Sequence, residues 1–433
     1  MTLEHGARAG ALSRGNLSGA RVLIYSHDTF GLGHLRRSRA IANALAAEAP
    51  GVSVIIASGS PVIGSFEFGP GVDFVRIPGV VKLANGDYRT LNLNMGLEET
   101  AQLRAAIIRQ TADSFRPDLV IVDKEPTGFR GEVTGALELA RARGARVVLG
   151  VRDVMDDPAL LAPEWERKGA LRALADYYDD IWVYGLREIY EPLAAFDLPA
   201  RLRERTLYTG YLRRTLPEEP QEPQLARYPK ITRGPFILVT SGGGADGDDM
   251  VDWVISAYEA DPTLETPALV VFGPFIARER RRQFMRRISR HPRLAALSFD
   301  SKLETLMHRA AAVVAMGGYN TFCELLSFDR PALIVPRTRP RREQYIRARA
   351  AERLGLASCI VEENGERDPR RMAAALHRLP QQNPPSRAWG APPGLLEGAS
   401  VIRADFRNWL RQRRGGAGQG EPAAAVAFGA RSA

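Results

Sequence analysis

Only two of the 433 residues are cysteine, Cys323 and Cys359, and no CxxC spacing occurs, so a disulfide framework and a cysteine metal pair are both excluded. Both read as small buried apolar residues. No apolar run approaches the roughly 18 residues that span a bilayer. The N-terminal MTLEHGARAGALSRGNLSGA lacks the continuous apolar core of a secretion signal, so the expected location is cytoplasmic. Lysine is scarce, at Lys82, Lys124, Lys168, Lys230 and Lys302, so arginine carries nearly all the positive charge behind the net +9. No RNP-like strand, zinc finger or helix-turn-helix pattern accompanies that charge, and nucleic acid is not an expected partner. HExxH, GxSxG and GxxxxGK[ST] are absent, which argues against the usual hydrolases and NTPases. No metal pair stands in context, and none is expected.

What is present is the composition of a soluble globular protein, 45% hydrophobic and 25% charged, in a chain long enough for two cores. Short β-rich runs alternate with amphipathic helical segments, the pattern of parallel α/β sheets. The first half offers RVLIYS, VSVIIAS, VDFVRI, DLVIVD, ARVVLGV and DIWVYG; the second offers FILVTS, ALVVFG, LAALSF, AAVVAM, PALIVP and ASCIVE. The fold class expected is α/β, two doubly wound Rossmann-like domains facing across a cleft. The first domain spans 21–212 and the second 236–380, joined by the proline-rich, charged stretch 213–235. A terminal helix region follows over 381–414. Residues 1–20 and the Gly/Ala-rich tail 415–433 read as disordered.

Ligands of such sheets bind at the carboxyl ends of the strands, so the glycine-rich turns there are the candidate sites. In AMGGYNTFCELLSF an apolar strand runs into two glycines and then a helix, and the amides of Gly317 to Thr321 would suit an anion such as a diphosphate. In SHDTFGLGHLRRS the third glycine of a dinucleotide fingerprint is replaced by Arg36, and VSVIIAS does not end in an acidic residue, which argues against an NAD enzyme. The segment instead brings its backbone, with Gly31 and Gly33, to the mouth of the cleft. His27, Asp28 and His34 lie within eight positions there, with His34 as the leading acid/base candidate. Asp123 and Glu125, in DLVIVDKEP, face the same cleft as reserve base or as loop carboxylates. The segment from Phe275 to Arg293 sets Phe275, Ile276, Phe284, Met285 and Ile288 at helical spacing among arginines. It reads as a solvated surface helix or as a peripheral contact with an anionic membrane.

The segment from Phe299 to Tyr345, FDSKLETLMHRAAAVVAMGGYNTFCELLSFDRPALIVPRTRPRREQY, resembles the donor-binding domain of GT-B glycosyltransferases. The nearest type includes bacterial peptidoglycan N-acetylglucosaminyltransferase and galactolipid synthases, and the likeness extends over about residues 20 to 380. Gly318, Thr321, Glu324, Pro331 to Pro336 and Gln344 stand at the matching positions. The resemblance implies GT-B architecture, with Glu324 accepting hydrogen bonds from the donor ribose. It assigns the diphosphate to Thr321 and the loop amides, including Gly317 and Asn320, the sugar to Gln344, and the nucleobase to the backbone from Phe299 to Leu303. SGGGADG, with Ser241, Gly242 and Gly243, is similar to the first donor-domain loop, and GLGHLRRSRAIANAL to the glycine loop of the acceptor domain. The acceptor loop departs from the GGH-proline pattern, so the acceptor is not carried over.

The function expected is inverting transfer of a sugar from a nucleoside-diphosphate donor, UDP-linked by resemblance, to a hydroxyl acceptor of the lipid-linked or cell-envelope glycan type. The donor is a substrate, and no cofactor is expected. His34 would remove the acceptor proton, Asp28 would orient it, and Arg337 or Arg339 with the helix-end amides would stabilise the leaving diphosphate without a metal. Two alternatives stay open: a nucleotide-sugar 2-epimerase using Asp123 and Glu125, and a non-catalytic sugar-nucleotide-binding protein.

Overall fold

The computed structural model describes residues 19–27, 33–82, 88–216, 228–242, 246–273, 276–300 and 302–415. Asp28, Gly31, Gly243 and Phe275 lie outside them, as do the termini read as disordered, apart from residues 19, 20 and 415.

Two parallel sheets form, one from each half. The first holds β1 (Arg21–Ser26), β2 (Ser53–Ser58), β3 (Val72–Arg76), β6 (Leu119–Asp123), β7 (Arg146–Arg152), β8 (Asp180–Tyr184) and β9 (Thr206–Tyr208), in the order β3-β2-β1-β6-β7-β8-β9. Between β3 and β6 a small antiparallel hairpin, β4 (Val80–Lys82) and β5 (Tyr88–Thr90), stands apart. The second sheet has the order β12-β11-β10-β13-β14-β15. Its strands are β10 (Ile237–Thr240), β11 (Ala268–Val271), β12 (Leu294–Leu297), β13 (Ala312–Ala315), β14 (Ala332–Ile334) and β15 (Ser358–Cys359).

The near-continuous apolar runs have a simple cause: each sheet is covered on both faces, so both sets of alternating side chains need apolar partners. Val22 and Ile24 of β1 enter one core while Leu23 and Tyr25 enter the other. In the second sheet, Ile237 and Val239 face one core and Phe236 and Leu238 the opposite one. The strand order reverses between β1 and β6 in the first sheet and between β10 and β13 in the second. The crevices at these two points receive the glycine turns.

The last helix, Gly398–Gly415, returns to the first domain. Ile402, Phe406 and Leu410 join the core of Val22, Ile24 and Leu45, while Arg146 pairs with Asp405 and Arg407 with Glu48. That core also takes in Tyr211 from the end of the first half and Tyr319, Phe322 and Cys323 from the second, so the two domains share apolar packing.

The helix Arg278–Ile288 buries Phe284 and Ile288, and Arg287 pairs with Asp252 and Glu259 of the helix Asp248–Ala260. Of its own apolar residues only Met285 is exposed. The apolar face offered as a membrane contact is therefore mostly part of the protein core. Among the described residues no helix is long and apolar enough to cross a membrane.

One buried ion pair fastens the halves. Asp153, just past β7, accepts from Arg347 Nε at 2.7 Å and from its terminal nitrogen at 2.6 Å, and also from Tyr211 Oη at 2.8 Å. Both charged side chains are fully buried. Asp153→Ala would leave the Arg347 guanidinium without a counterion and should destabilise the protein by about 3–5 kcal/mol. Replacing both, Asp153→Ala with Arg347→Met, should recover most of that loss, measured by denaturant unfolding of the two variants.

Candidate functional site

The GGYNT segment is split between a turn and a helix. Gly317 and Gly318 make the turn, while Tyr319, Asn320 and Thr321 already form the first turn of the helix Tyr319–Ser327. Gly317 has φ +76°, and a Cβ there would come within 2.7 Å of Ile334 Cγ2, so the position requires glycine twice over. A Cβ on Gly318 would meet nothing within 4 Å, leaving open space at the free amides of the helix end. Ser241 and Gly242, at the end of β10, lie alongside. Gly242 has φ +68°, and a Cβ there would sit 3.4 Å from Thr321 Oγ1.

The helix Gly33–Ala46 and the helix Tyr319–Ser327 meet across the cleft at their first turns. Asn320 donates through Nδ2 to the carbonyl of Gly33 at 3.2 Å and accepts from Arg214 at 2.8 Å. The Asn320 side chain thus ties the domains together, leaving only its backbone for a ligand. Four residues on, Glu324 is buried, and Arg36 from the other domain lies 2.7 Å from its Oε1 as an ion pair without hydrogen-bond geometry. The same guanidinium also pairs with Glu304. Burial raises the Glu324 carboxyl above the usual range, against the pull of Arg36. A buried carboxylate held by an ion pair with imperfect hydrogen-bond geometry is the kind of group for which a pair of hydroxyls would compete.

Opposite this turn, His34 Nδ1 meets Asp123 Oδ2, while Arg37 holds Asp123 Oδ1 through Nε at 2.9 Å and a terminal nitrogen at 2.5 Å. A carboxylate only accepts, so Nδ1 carries the proton and Nε2 keeps its lone pair. Burial opposes the ionised form of Asp123, but Arg37 and His34 beside it hold the carboxyl well below the carboxylate range. Burial depresses His34 to about 4, more than Asp123 raises it. Asp123, expected as a reserve base, is the carboxylate that holds His34 Nδ1, while Asp28, expected to orient the histidine, lies outside the described residues.

His27 is buried, with Nδ1 3.1 Å from Tyr25 Oη, which itself donates to Glu132 at 2.6 Å. Burial and Lys124 push His27 well below its ordinary value. Glu125 is neutralised by Lys168 at 2.9 Å and Lys124 at 3.2 Å; these cations outweigh burial and lower its carboxyl. Asp123 and Glu125 therefore answer to separate cations and both stay ionised, an arrangement that does not set two carboxyls to exchange protons around one sugar.

The remaining donor-side residues are brought near the turn with different degrees of freedom. Gln344 Oε1 accepts from the backbone N–H of Arg337 at 2.9 Å, and the Arg337 guanidinium is paired with Asp246 and Glu343. Arg337 is thus already neutralised, and Arg339 is exposed. Phe299 is 57% exposed, and Leu303 opens the helix Leu303–Arg309. Among the described residues no cluster of three or more His, Cys, Asp or Glu side chains could hold a metal ion. Sequence reasoning missed Arg37, Asp153, Glu304 and Arg347. Arg37 was in plain view in GLGHLRRS, but its role depends on β6 lying beside β1.

With this geometry, comparison with known proteins is informative. Residues 236–388 match the Glycosyltransferase family 28 C-terminal domain. The spinosyn forosaminyltransferase SpnP is similar in structure, with TM-score 0.58 and 16% identity over 92% of this chain and 99% of that one. A UDP-glucosyltransferase from Polygonum tinctorium, capable of glucosylating indoxyl, gives 0.57 and 14% over 91% and 93%. MurG from Acinetobacter baumannii gives 0.52 and 14% over 91% and 99%. No curated protein sequence matches the chain. The two sheets and their cleft are the GT-B fold of nucleotide-sugar glycosyltransferases. Residues 236–388 are in addition similar to the family 28 glycosyltransferase C-terminal domain, and the two findings together support glycosyl transfer.

The depressed His34 gives a pH signature. Unfolded histidine protonates near 6.5 while folded His34 does so at about 4, so between those values the unfolded state binds more protons. Stability should therefore fall as pH drops from 6.5 toward 4, and His34→Gln should flatten that slope in thermal unfolding measured across the window. An unchanged slope would mean that its surroundings do not depress His34.

Proposed function

We propose that the protein is an inverting glycosyltransferase that moves a sugar from a nucleoside-diphosphate donor to a hydroxyl acceptor, with His34 as general base. The observation that carries this reading is the juxtaposition of two half-sites. An imidazole oriented by a carboxylate belongs to one domain, and an open helix-end turn followed by a buried, incompletely bonded carboxylate belongs to the other. The donor diphosphate would lie on the amides from Gly318 to Thr321, with the ribose hydroxyls on Glu324. The acceptor O–H gives its proton to His34 Nε2 as the oxygen bonds to the anomeric carbon. The bond from that carbon to the diphosphate breaks, and the electron pair leaves with the diphosphate. Charge growing on the leaving group meets helix-end amides without calling on a metal.

The ribose can take Glu324 only by replacing Arg36, which retains Glu304 as a partner. Donor binding is thereby coupled to a residue of the acceptor domain. The family 28 match supports a nucleotide-sugar donor. A UDP-linked donor, a cell-envelope or lipid-linked acceptor and a cytoplasmic site of action, at the inner face of a membrane, rest on the family resemblance.

Two variants separate the half-sites. Glu324→Ala should weaken nucleoside-diphosphate binding by roughly 1.5–3 kcal/mol, the worth of hydrogen bonds to a charged group, as read by calorimetry. Unchanged affinity in a folded variant would remove Glu324 from the site. His34→Ala should lower the transfer rate by about 10²–10⁴-fold with donor affinity nearly intact. In the wild type kcat/KM should hold from neutral pH down and fall only as pH approaches about 4, because protonation of His34 removes the base. A matched loss of donor affinity with little change in rate would make His34 part of the donor site instead.

A further inference from the structure

Around the cleft the arginines are taken up by carboxylates one after another. Arg36 has Glu304 and Glu324, Arg37 has Asp123, Arg337 has Asp246 and Glu343, Arg341 has Asp156 and Glu164, and Arg347 has Asp153. Arg152 departs from this pattern. It is the last residue of β7, at the carboxyl edge of the first sheet, and it has no ion pair among the described residues. Its Nε is sealed from solvent without a hydrogen-bond partner, and its one hydrogen bond, to the carbonyl of Met155, is long at 3.5 Å.

The surroundings offset its charge only in part. Glu343 attracts it, with Oε1 given to Arg337 and Oε2 without a hydrogen-bond partner, while Arg347 and Arg37 repel it and Asp153 is spent on Arg347 and Tyr211. Burial together with these cations depresses the Arg152 guanidinium below its ordinary value. A half-buried guanidinium without an ion pair carries a desolvation cost that an anion bound at the carboxyl edge of the sheet would offset. Its neighbour Arg347 also donates to the carbonyl of Gly317 at 2.9 Å, which places Arg152 on the side of the cleft that faces the donor turn. A guanidinium with a free Nε edge matches two oxygens of a phosphate.

We propose that Arg152 is a phosphate-binding residue of the cleft, contributed by the acceptor domain. The phosphate comes from the donor diphosphate or from a phosphorylated acceptor. The first source rests on the donor-binding reading above, whereas the site itself does not.

The test uses the full chain with Arg152→Met and Arg152→Lys. Without ligand, Arg152→Met should unfold at the same temperature as the wild type or higher, since it removes a half-buried charge without an ion pair. Binding of inorganic pyrophosphate should fall about tenfold or more in Arg152→Met, the loss of one charge-assisted contact, and recover in part in Arg152→Lys. If the donor is the source, affinity for the best of a panel of nucleoside diphosphates falls as well, while affinity for the matching nucleoside does not. Loss of pyrophosphate binding with unchanged nucleoside-diphosphate affinity assigns the phosphate to the acceptor. Unchanged affinity for both overturns the proposal. So does marked destabilisation of ligand-free Arg152→Met, which would mean that a protein carboxylate, Glu343 first, already compensates Arg152. A wild type that binds pyrophosphate but no nucleoside diphosphate would end the donor reading and leave the Arg152 site standing.

Discussion

The structure depends on the buried pair between Asp153 and Arg347. Asp153 follows β7 of the first domain, and Arg347 lies on the helix Glu343–Arg353 of the second, 194 residues away in the chain. A buried ion pair adds little net stability over an apolar packing of the same volume, but an unpaired member is heavily penalised, so the pair selects one relative placement of the domains. It also reaches the chemistry directly. The same guanidinium that satisfies Asp153 donates to the carbonyl of Gly317, the residue whose left-handed backbone turns the chain into the donor helix. The join between domains and the shape of the anion turn are thus one network.

From that join the rest of the cleft follows. Once the two switch points face each other, Asn320 can bridge to Gly33, and Arg36 can reach the carboxylates of Glu304 and Glu324. The helix Gly33–Ala46 is therefore central to both halves. Gly33 and Arg36 contact the donor domain, while His34 and Arg37 converge on Asp123 in their own. On the proposed reading, donor entry would exchange the ion pair between Arg36 and Glu324 for hydrogen bonds, so donor affinity and domain placement would respond to the same residues.

Much of this was legible in the sequence. The strands of both sheets announce themselves as apolar runs because burial on two faces demands them, and Gly242 and Gly317 mark turns at strand ends. What escaped was short or long-range. The strand Thr206–Tyr208 is three residues long, and the hairpin Val80–Lys82 with Tyr88–Thr90 carries too little periodicity to register. The return of the helix Gly398–Gly415 to the first domain is a matter of tertiary packing that its own amphipathic pattern does not encode. The same holds for charge. Arg36, Arg37, Arg152 and Arg347 read as members of an arginine-rich composition, and only their partners, between 86 and 288 residues distant for the paired three, show which are structural and which are open.

The most direct measurement is a crystal structure of the protein with a nucleoside diphosphate bound. The account predicts the diphosphate on the amides from Gly318 to Thr321, the ribose hydroxyls on Glu324, and Arg36 moved off Glu324 while Asp153 and Arg347 remain paired. A nucleotide seated elsewhere, with Arg36 still on Glu324, would contradict it.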